Sequence, residues 1–136
     1  MTDLVKSMNV SAAGMKVQGT RLRVISENVA NADSTALTPG GVPYRRKLVT
    51  FENVFNRQLG AEVVRVRDIT RDTSDFQQRY EPGHPAADAN GYVKTSNVNT
   101  LVEITDMREA ERSYEANMRV LRASRGMLER TIDLLR

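Results

Sequence analysis

Two stripes of apolar residues, one near each end of this 136-residue chain, repeat every three and then four positions, and the stretch between them carries no such repeat. The C-terminal stripe runs Ile104, Met107, Glu111, Tyr114, Met118, Leu121, Arg125, Leu128, Ile132 and Leu135, eight of them apolar or aromatic. A mean spacing of 3.5 is that of a coiled-coil seam. Thr100 stands three residues ahead of Glu103, the spacing of a capping box, which predicts a helix starting at 100 or 101. At about 1.5 Å per residue that helix spans roughly 50 Å, a longer apolar edge than a small middle region covers.

The N-terminal stripe reads Leu4, Met8, Ser11, Met15, Gln18, Leu22, Ile25 and Val29, and Ser11 and Gln18 interrupt it. Gly14 and Gly19 each lower helix stability by about 1 kcal/mol relative to Ala, yet small residues also let another helix backbone approach. The helix is expected to end between Asn28 and Asn31, where Asn tolerates a left-handed cap. Alone it is marginal, so it orders against the C-terminal helix or a neighbouring subunit. The fold class that follows is mainly α with a small β region. Its long N- and C-terminal helices form a coiled-coil-like pair joined by an extended β-hairpin and loop segment. The expected divisions are 1–36 for the first helix, 37–99 for the middle and 100–136 for the last helix.

Composition narrows the classes of function. Only 5% of residues are aromatic and Trp is absent, so any single core is modest. The absence of Cys removes disulfides and thiolate metal sites. The first residues lack the apolar run of a signal peptide, and no run is long enough to span a bilayer, so neither cleaved-signal export nor membrane insertion is expected. The net charge of +3 is spread along the chain, and residues 101–136 balance seven Arg against seven acids. A surface that tracks phosphates clusters its basic residues, so no nucleic acid is expected. The one cluster, Arg45-Arg46-Lys47, reads as solvated charge on an edge strand.

Residues 32–43 form a loop rich in turn formers, followed by β-like runs at Tyr44 to Phe51, Val63 to Ile69 and around Phe76 to Tyr80. The least ordinary segment runs from Tyr80 to Val93. Pro82-Gly83 suits a type II turn, and Asn90-Gly91 suits a tight turn with positive φ. With His84, Pro85, Asp88 and Tyr92 these residues define a folded-back loop that presents a surface.

Catalytic and metal chemistry find little support. Ala86-Ala87-Asp88-Ala89-Asn90-Gly91 approaches a calcium-loop pattern, but Ala86 and Asn97 occupy its first and twelfth positions, where the dominant carboxylates belong. His84 is the only histidine, which removes paired-His zinc geometry. No G-x-S-x-G elbow positions a nucleophile beside it, and it reads as a turn histidine bonded within its own loop. No cofactor is expected, and no enzyme.

Ser11-Ala-Ala-Gly-Met15, Arg21-Leu22 and Asn28-Val-Ala-Asn-Ala32 resemble the N-terminal signature of flagellar rod, hook and related axial proteins. Tyr44-Arg-Arg-Lys47, the Glu81 to Val93 loop, Asn97-Val-Asn99, Glu103, Asp106-Met107 and Tyr114-Glu-Ala-Asn117 extend the similarity to bacterial flagellar basal-body rod proteins, and most closely to a proximal rod subunit. The resemblance implies a structural subunit that polymerises with copies of itself and other rod proteins into a torque-transmitting shaft. It also implies export through the flagellar type III apparatus without a cleaved signal, a place in the periplasmic rod, and contact with the surrounding membrane-ring and base proteins. The terminal helices would line the axis and the β-rich middle would lie outside. On this reading the assembly interface is made of Leu4, Met8, Met15, Leu22, Ile25 and Val29 with Met107, Tyr114, Met118, Leu121, Leu128, Ile132 and Leu135. The alternatives are another proximal rod subunit or, in a different class, a cytosolic coiled-coil adaptor or nucleic-acid-binding dimer.

Overall fold

The computed structural model describes residues 2–136 and follows the expected plan. Helix α1 (Thr2–Ala30) and helix α2 (Thr100–Leu134) enclose, in chain order, strands β1 (Lys47–Asn56), β2 (Ala61–Arg71), β3 (Gln77–Tyr80) and β4 (Tyr92–Thr95). The strands make two separate two-stranded sheets, β1 with β2 and β3 with β4. The β-like runs of the sequence anticipate the first three strands and not β4, whose Tyr92 and Val93 fall at the end of the segment read as a folded-back loop.

The ends of the helices differ from the expected caps. At the start of α2 the cap is Asn99, whose Oδ1 accepts from the backbone N–H of Leu101 at 3.1 Å and of Val102 at 3.4 Å. The Glu103 carboxylate does not reach back to the first turn; it bonds elsewhere, as described below. At the end of α1 no non-glycine residue has positive φ among the described residues, so Asn does not form a left-handed cap. The chain leaves through tighter turns instead, with Ala32 N–H on Val29 O and Ser34 N–H on Asn31 O. The Glu27 carbonyl accepts twice from Asn31, from its backbone N–H at 3.1 Å and its side-chain amide at 2.8 Å, which fixes that side chain against the last turn.

The chain divides into two compact units. One comprises α1 up to Leu22, the hairpin segment Val49–Asp68 and the chain from Met107 to Arg136. Here the helices run antiparallel: Ser7 meets Ser124 at 3.2 Å, Gly14 faces Asn117, and Arg21 meets Glu109 at 3.5 Å. Most of its buried residues are small, Ser11, Gly14, Ala110 and Ser124, and Val17 is buried with them. Small side chains on the contact line let two helices approach at short range. The hairpin tip turns through Asn56, whose Oδ1 accepts from the N–H of Gln58 and Leu59, with Gly60 at φ 63°.

The other unit comprises Arg23–Leu48 and Ile69–Asp106. Its core holds Val24, Ile25, Val93 and Val98 together with the buried polar residues Asn28, Thr95, Ser96 and Glu103. β3 and β4 pair antiparallel, Gln77 opposite Thr95 and Tyr80 opposite Tyr92. The Tyr80 and Tyr92 rings meet edge to face with centroids 5.3 Å apart, a favoured aromatic geometry. Thr35 bridges to Thr95, and Ser96 N–H donates to Ser34 O at 3.2 Å, so the loop after α1 lies along the outer edge of β4.

Candidate functional site

The expected interface residues occupy a graded position between core and solvent. Leu4, Met8, Met15, Leu22 and Val29 on α1 are half-buried, as are Met107, Tyr114, Met118, Leu121 and Leu128 on α2. Ile25 is fully buried within the chain, whereas Ile132 and Leu135 are exposed. Within the stripe, Ile104, Glu111, Arg125 and Ile132 are exposed. Glu103, Ala110 and Ser124, each one position before a stripe residue, are buried. The apolar stripe of α2 therefore borders the intrachain contact line and is not itself that line. A periodic search for apolar residues finds the border and misses the line, because close helix contact selects small side chains.

A polar clasp forms the second feature, and it gathers residues from four parts of the sequence. The Asn28 side chain bonds in three directions. Its Oδ1 accepts from Tyr44 Oη–H at 2.7 Å and from Lys47 N–H at 2.9 Å. Its Nδ2 donates to Lys47 O at 2.9 Å and to Glu103 Oε2 at 3.1 Å. The other Glu103 oxygen takes the Arg46 Nε–H. Arg46 also pairs with Asp106 at 3.4 Å and Asp72 at 3.5 Å. Asn97 closes the far side: its Oδ1 accepts from Arg46 N–H at 2.7 Å, and its amide donates to Asp72 O and Ser74 O at 3.1 Å. Glu103 is 1% exposed, so its carboxyl group is cut off from water and depends on those donors.

The electrostatics follow from these contacts. Burial disfavours the Arg46 charge, but the Glu103, Asp72 and Asp106 carboxylates outweigh it and hold the guanidinium above its ordinary pKa. The Lys47 ammonium, 2.9 Å from Glu27, lowers that carboxyl. Hydrogen bonds from Ser74 lower Asp72. Burial raises the Tyr44 phenol, and the Glu27 charge adds to the effect. Arg46 is thus no solvated edge charge, as its cluster suggested. It is a half-buried tie with three carboxylate partners. Arg45 lies over the Phe76 ring at 4.3 Å, a cation–π contact.

The 80–93 loop is folded back as expected, with one difference. Pro82-Gly83 sits in a turn closed by His84 N–H on Glu81 O at 3.1 Å, but Gly83 has no positive φ, so the turn is not type II. Gly91 does take positive φ, 84°, and Gly91 N–H closes on Asp88 O at 3.0 Å. Asp88 Oδ1 accepts from the N–H of both Asn90 and Tyr92 at 2.9 Å, so the carboxylate of the apparent calcium pattern secures the turn. His84 Nδ1 accepts from Ala86 N–H at 3.0 Å, and Nε2 lies 3.3 Å from Thr35 Oγ1, so the histidine is bonded within its loop and to the segment following α1. Pro82, Pro85 and Asn90 are exposed beside it, and Tyr92 is 44% exposed.

Residues 89–134 match the family model described as flagellar basal body rod FlgEFG protein C-terminal. Over 136 residues the chain is 51% identical to the flagellar basal-body rod protein FlgC of Agrobacterium fabrum, covering all of this chain and 98% of the relative. The chain belongs to the FlgC family of flagellar basal-body rod proteins. It is 40% identical to FlgC of Bacillus subtilis, covering 94% of this chain and 95% of the relative. With FlgC of Escherichia coli O6:H1 it shares 38% identity over 96% of this chain and 97% of the relative. As a FlgC-family protein it is a structural rod subunit of the flagellar basal body. Asn28, Tyr44, Arg46, Lys47, Asn97, Glu103 and Asp106, which carry the family resemblance in sequence, are the residues the clasp brings together.

Proposed function

We propose that this chain is a non-catalytic subunit of the proximal rod that polymerises with copies of itself and other rod proteins into the drive shaft. The observation that carries this reading is the pair of half-buried apolar edges, Met8, Met15 and Leu22 on α1 with Tyr114, Leu121 and Leu128 on α2. Each edge is left partly in water by a single chain. Burial at about 25 cal/mol per Å² rewards a neighbour that covers it. Residues 1–36 and 100–136 form the axial core on this reading, with 37–99 directed outward and the 82–92 loop offering a surface to other basal-body parts. The subunit reaches the periplasm through the flagellar type III export apparatus and contacts the surrounding ring and base proteins there. The clasp suits a part under load, because its charges are fixed by several bonds each.

The test is to tag the chain, isolate basal bodies and probe them. Recovery of the tag in the rod fraction, with motility retained, is the expected result. A chain confined to the cytosol of motile cells, or one binding nucleic acid with steep salt dependence on filters, sinks the reading.

A further inference from the structure

The far end of α2 leaves its apolar side chains in water: Ile132 is 41% exposed, Leu134 87% and Leu135 75%. The unit that contains them also contains a groove of about 420 Å³ between α1 and β2, lined by Ala13, Lys16, Val17, Thr20, Val64, Arg65 and Val66. That volume falls in the range of clefts that bury most of a small ligand, roughly 300–1,000 Å³. The walls are apolar and the charges at the edge are basic. Arg65 is already paired with Glu52 at 2.6 Å, which leaves the Lys16 ammonium. Among the described residues neither Lys16 nor Asp133 has an ion-pair partner.

The chain's own tip cannot fill the groove. Ser7 meets Ser124 and Gly14 meets Asn117, so Ala13 is level with the region of Met118. Leu134 lies sixteen residues further along the same continuous helix, about 24 Å at 1.5 Å per residue. A second copy can supply it.

We propose that the C-terminal tip of one copy, Ile132 to Leu135, docks in the α1–β2 groove of the next, with Asp133 meeting Lys16. The proposal rests on the rod-subunit reading and specifies which surfaces meet. Tip and groove are different patches, so the contact is head-to-tail and adds copies in an open series, as a tube requires.

The natural chain has no Cys, so engineered cysteines report without background. Two differently tagged chains, one carrying Ala13→Cys and the other Leu134→Cys, are expressed together, and the isolated basal bodies are oxidised. The expected product is a mixed dimer bearing both tags, absent when Val120→Cys replaces Leu134→Cys. Asp133→Lys on the tip chain should lower the yield severalfold, and Lys16→Asp on the groove chain should restore it. Both chains present in basal bodies without the mixed dimer, or with Ala13→Cys captured on a different rod protein, overturns the contact while leaving the rod reading intact. Chains missing from basal bodies overturn that reading and the contact with it.

Discussion

Gly14 on α1 and Asn117 on α2 approach so closely that a β-carbon at position 14 would lie 2.8 Å from the Asn117 amide nitrogen and 3.0 Å from its Cγ. The obstacle is a side chain held by its own bond to Ser113 O at 2.9 Å, so it yields to a methyl group more readily than to a branched one. Gly14→Val is expected to cost about 1–3 kcal/mol through overpacking. Gly14→Ala should cost less, since a helix gains about 1 kcal/mol from losing a glycine, and adding Asn117→Ala should turn it stabilising. Gly19 meets nothing within 4 Å, so Gly19→Ala should stabilise outright. Urea unfolding followed by circular dichroism separates these; equal midpoints for Gly14→Val and the parent would refute the close approach.

Glu103 makes a comparable demand on Arg46. Removing the guanidinium leaves a buried carboxylate with only the Asn28 amide, and breaking a buried pair costs about 3–5 kcal/mol. Arg46 retains some solvent access, so Arg46→Ala is expected near the lower end. Arg46→Lys should recover part of the loss, because one ammonium cannot reproduce the planar fork that reaches Glu103, Asp106 and Asp72. With no Trp in the chain, tyrosine fluorescence, to which the clasp's Tyr44 contributes, reports unfolding. An Arg46→Ala midpoint within error of the parent would show the clasp to be dispensable.

The helices were legible because each spans several turns and repeats its pattern, and β1 and β2 because each is long and rich in β-branched or aromatic residues. The clasp was not. Asn28 and Glu103 are 75 positions apart, and Arg46 and Glu103 are 57, so no local period links them. A buried Glu has the same letter as a solvated one. The cap at Asn99 was misassigned for the same reason: Thr100 and Glu103 have capping-box spacing, and the Glu is drawn away by distant donors. Gly83 and Gly91 both stand in turn motifs, yet only the pairing of β3 with β4 decides which takes positive φ.

Acid should loosen the clasp unit first. Glu27 and Asp72 have folded pKa values below their ordinary ones, so the unfolded chain binds protons more readily there. The stability they contribute is complete above the ordinary carboxylate range, about pH 4, and is lost as pH falls through the lowered folded values. Tyr44 is raised, so its contribution is present below about pH 10 and fades as pH rises through the folded value. Lys47→Met should flatten the acid limb. An unchanged limb in that variant would show that Lys47 is not the cause of the Glu27 shift.

Positions 83 and 91 offer a matched pair of glycine tests. At Gly91, φ is 84° and an added β-carbon would lie 2.9 Å from the Tyr80 ring. Gly91→Val should therefore cost roughly 1–3 kcal/mol for the backbone alone, with the ring clash in addition. Gly83 has open space and no positive φ, so Gly83→Ala should be neutral or stabilise by up to about 1 kcal/mol. Hydrogen exchange at Val93 and Thr95 reads the integrity of the β3–β4 pair. Faster exchange in Gly83→Ala than in Gly91→Val would reverse the turn assignment.

Leu121 and Ile104 separate assembly from folding. Leu121 is half-buried beside the intrachain contact line, so Leu121→Asp should both destabilise the helix pair and block incorporation. Leu128→Asp should do the same. Ile104 is 39% exposed, and Ile104→Asp should leave the unfolding midpoint within about 0.5 kcal/mol of the parent, as ordinary surface substitutions do. Loss of motility in Ile104→Asp with an unchanged melt would place that stripe face against a neighbour. Rods of normal length containing Leu121→Asp would remove the apolar edge from the assembly contact, since a charge buried between subunits without a partner is not tolerated.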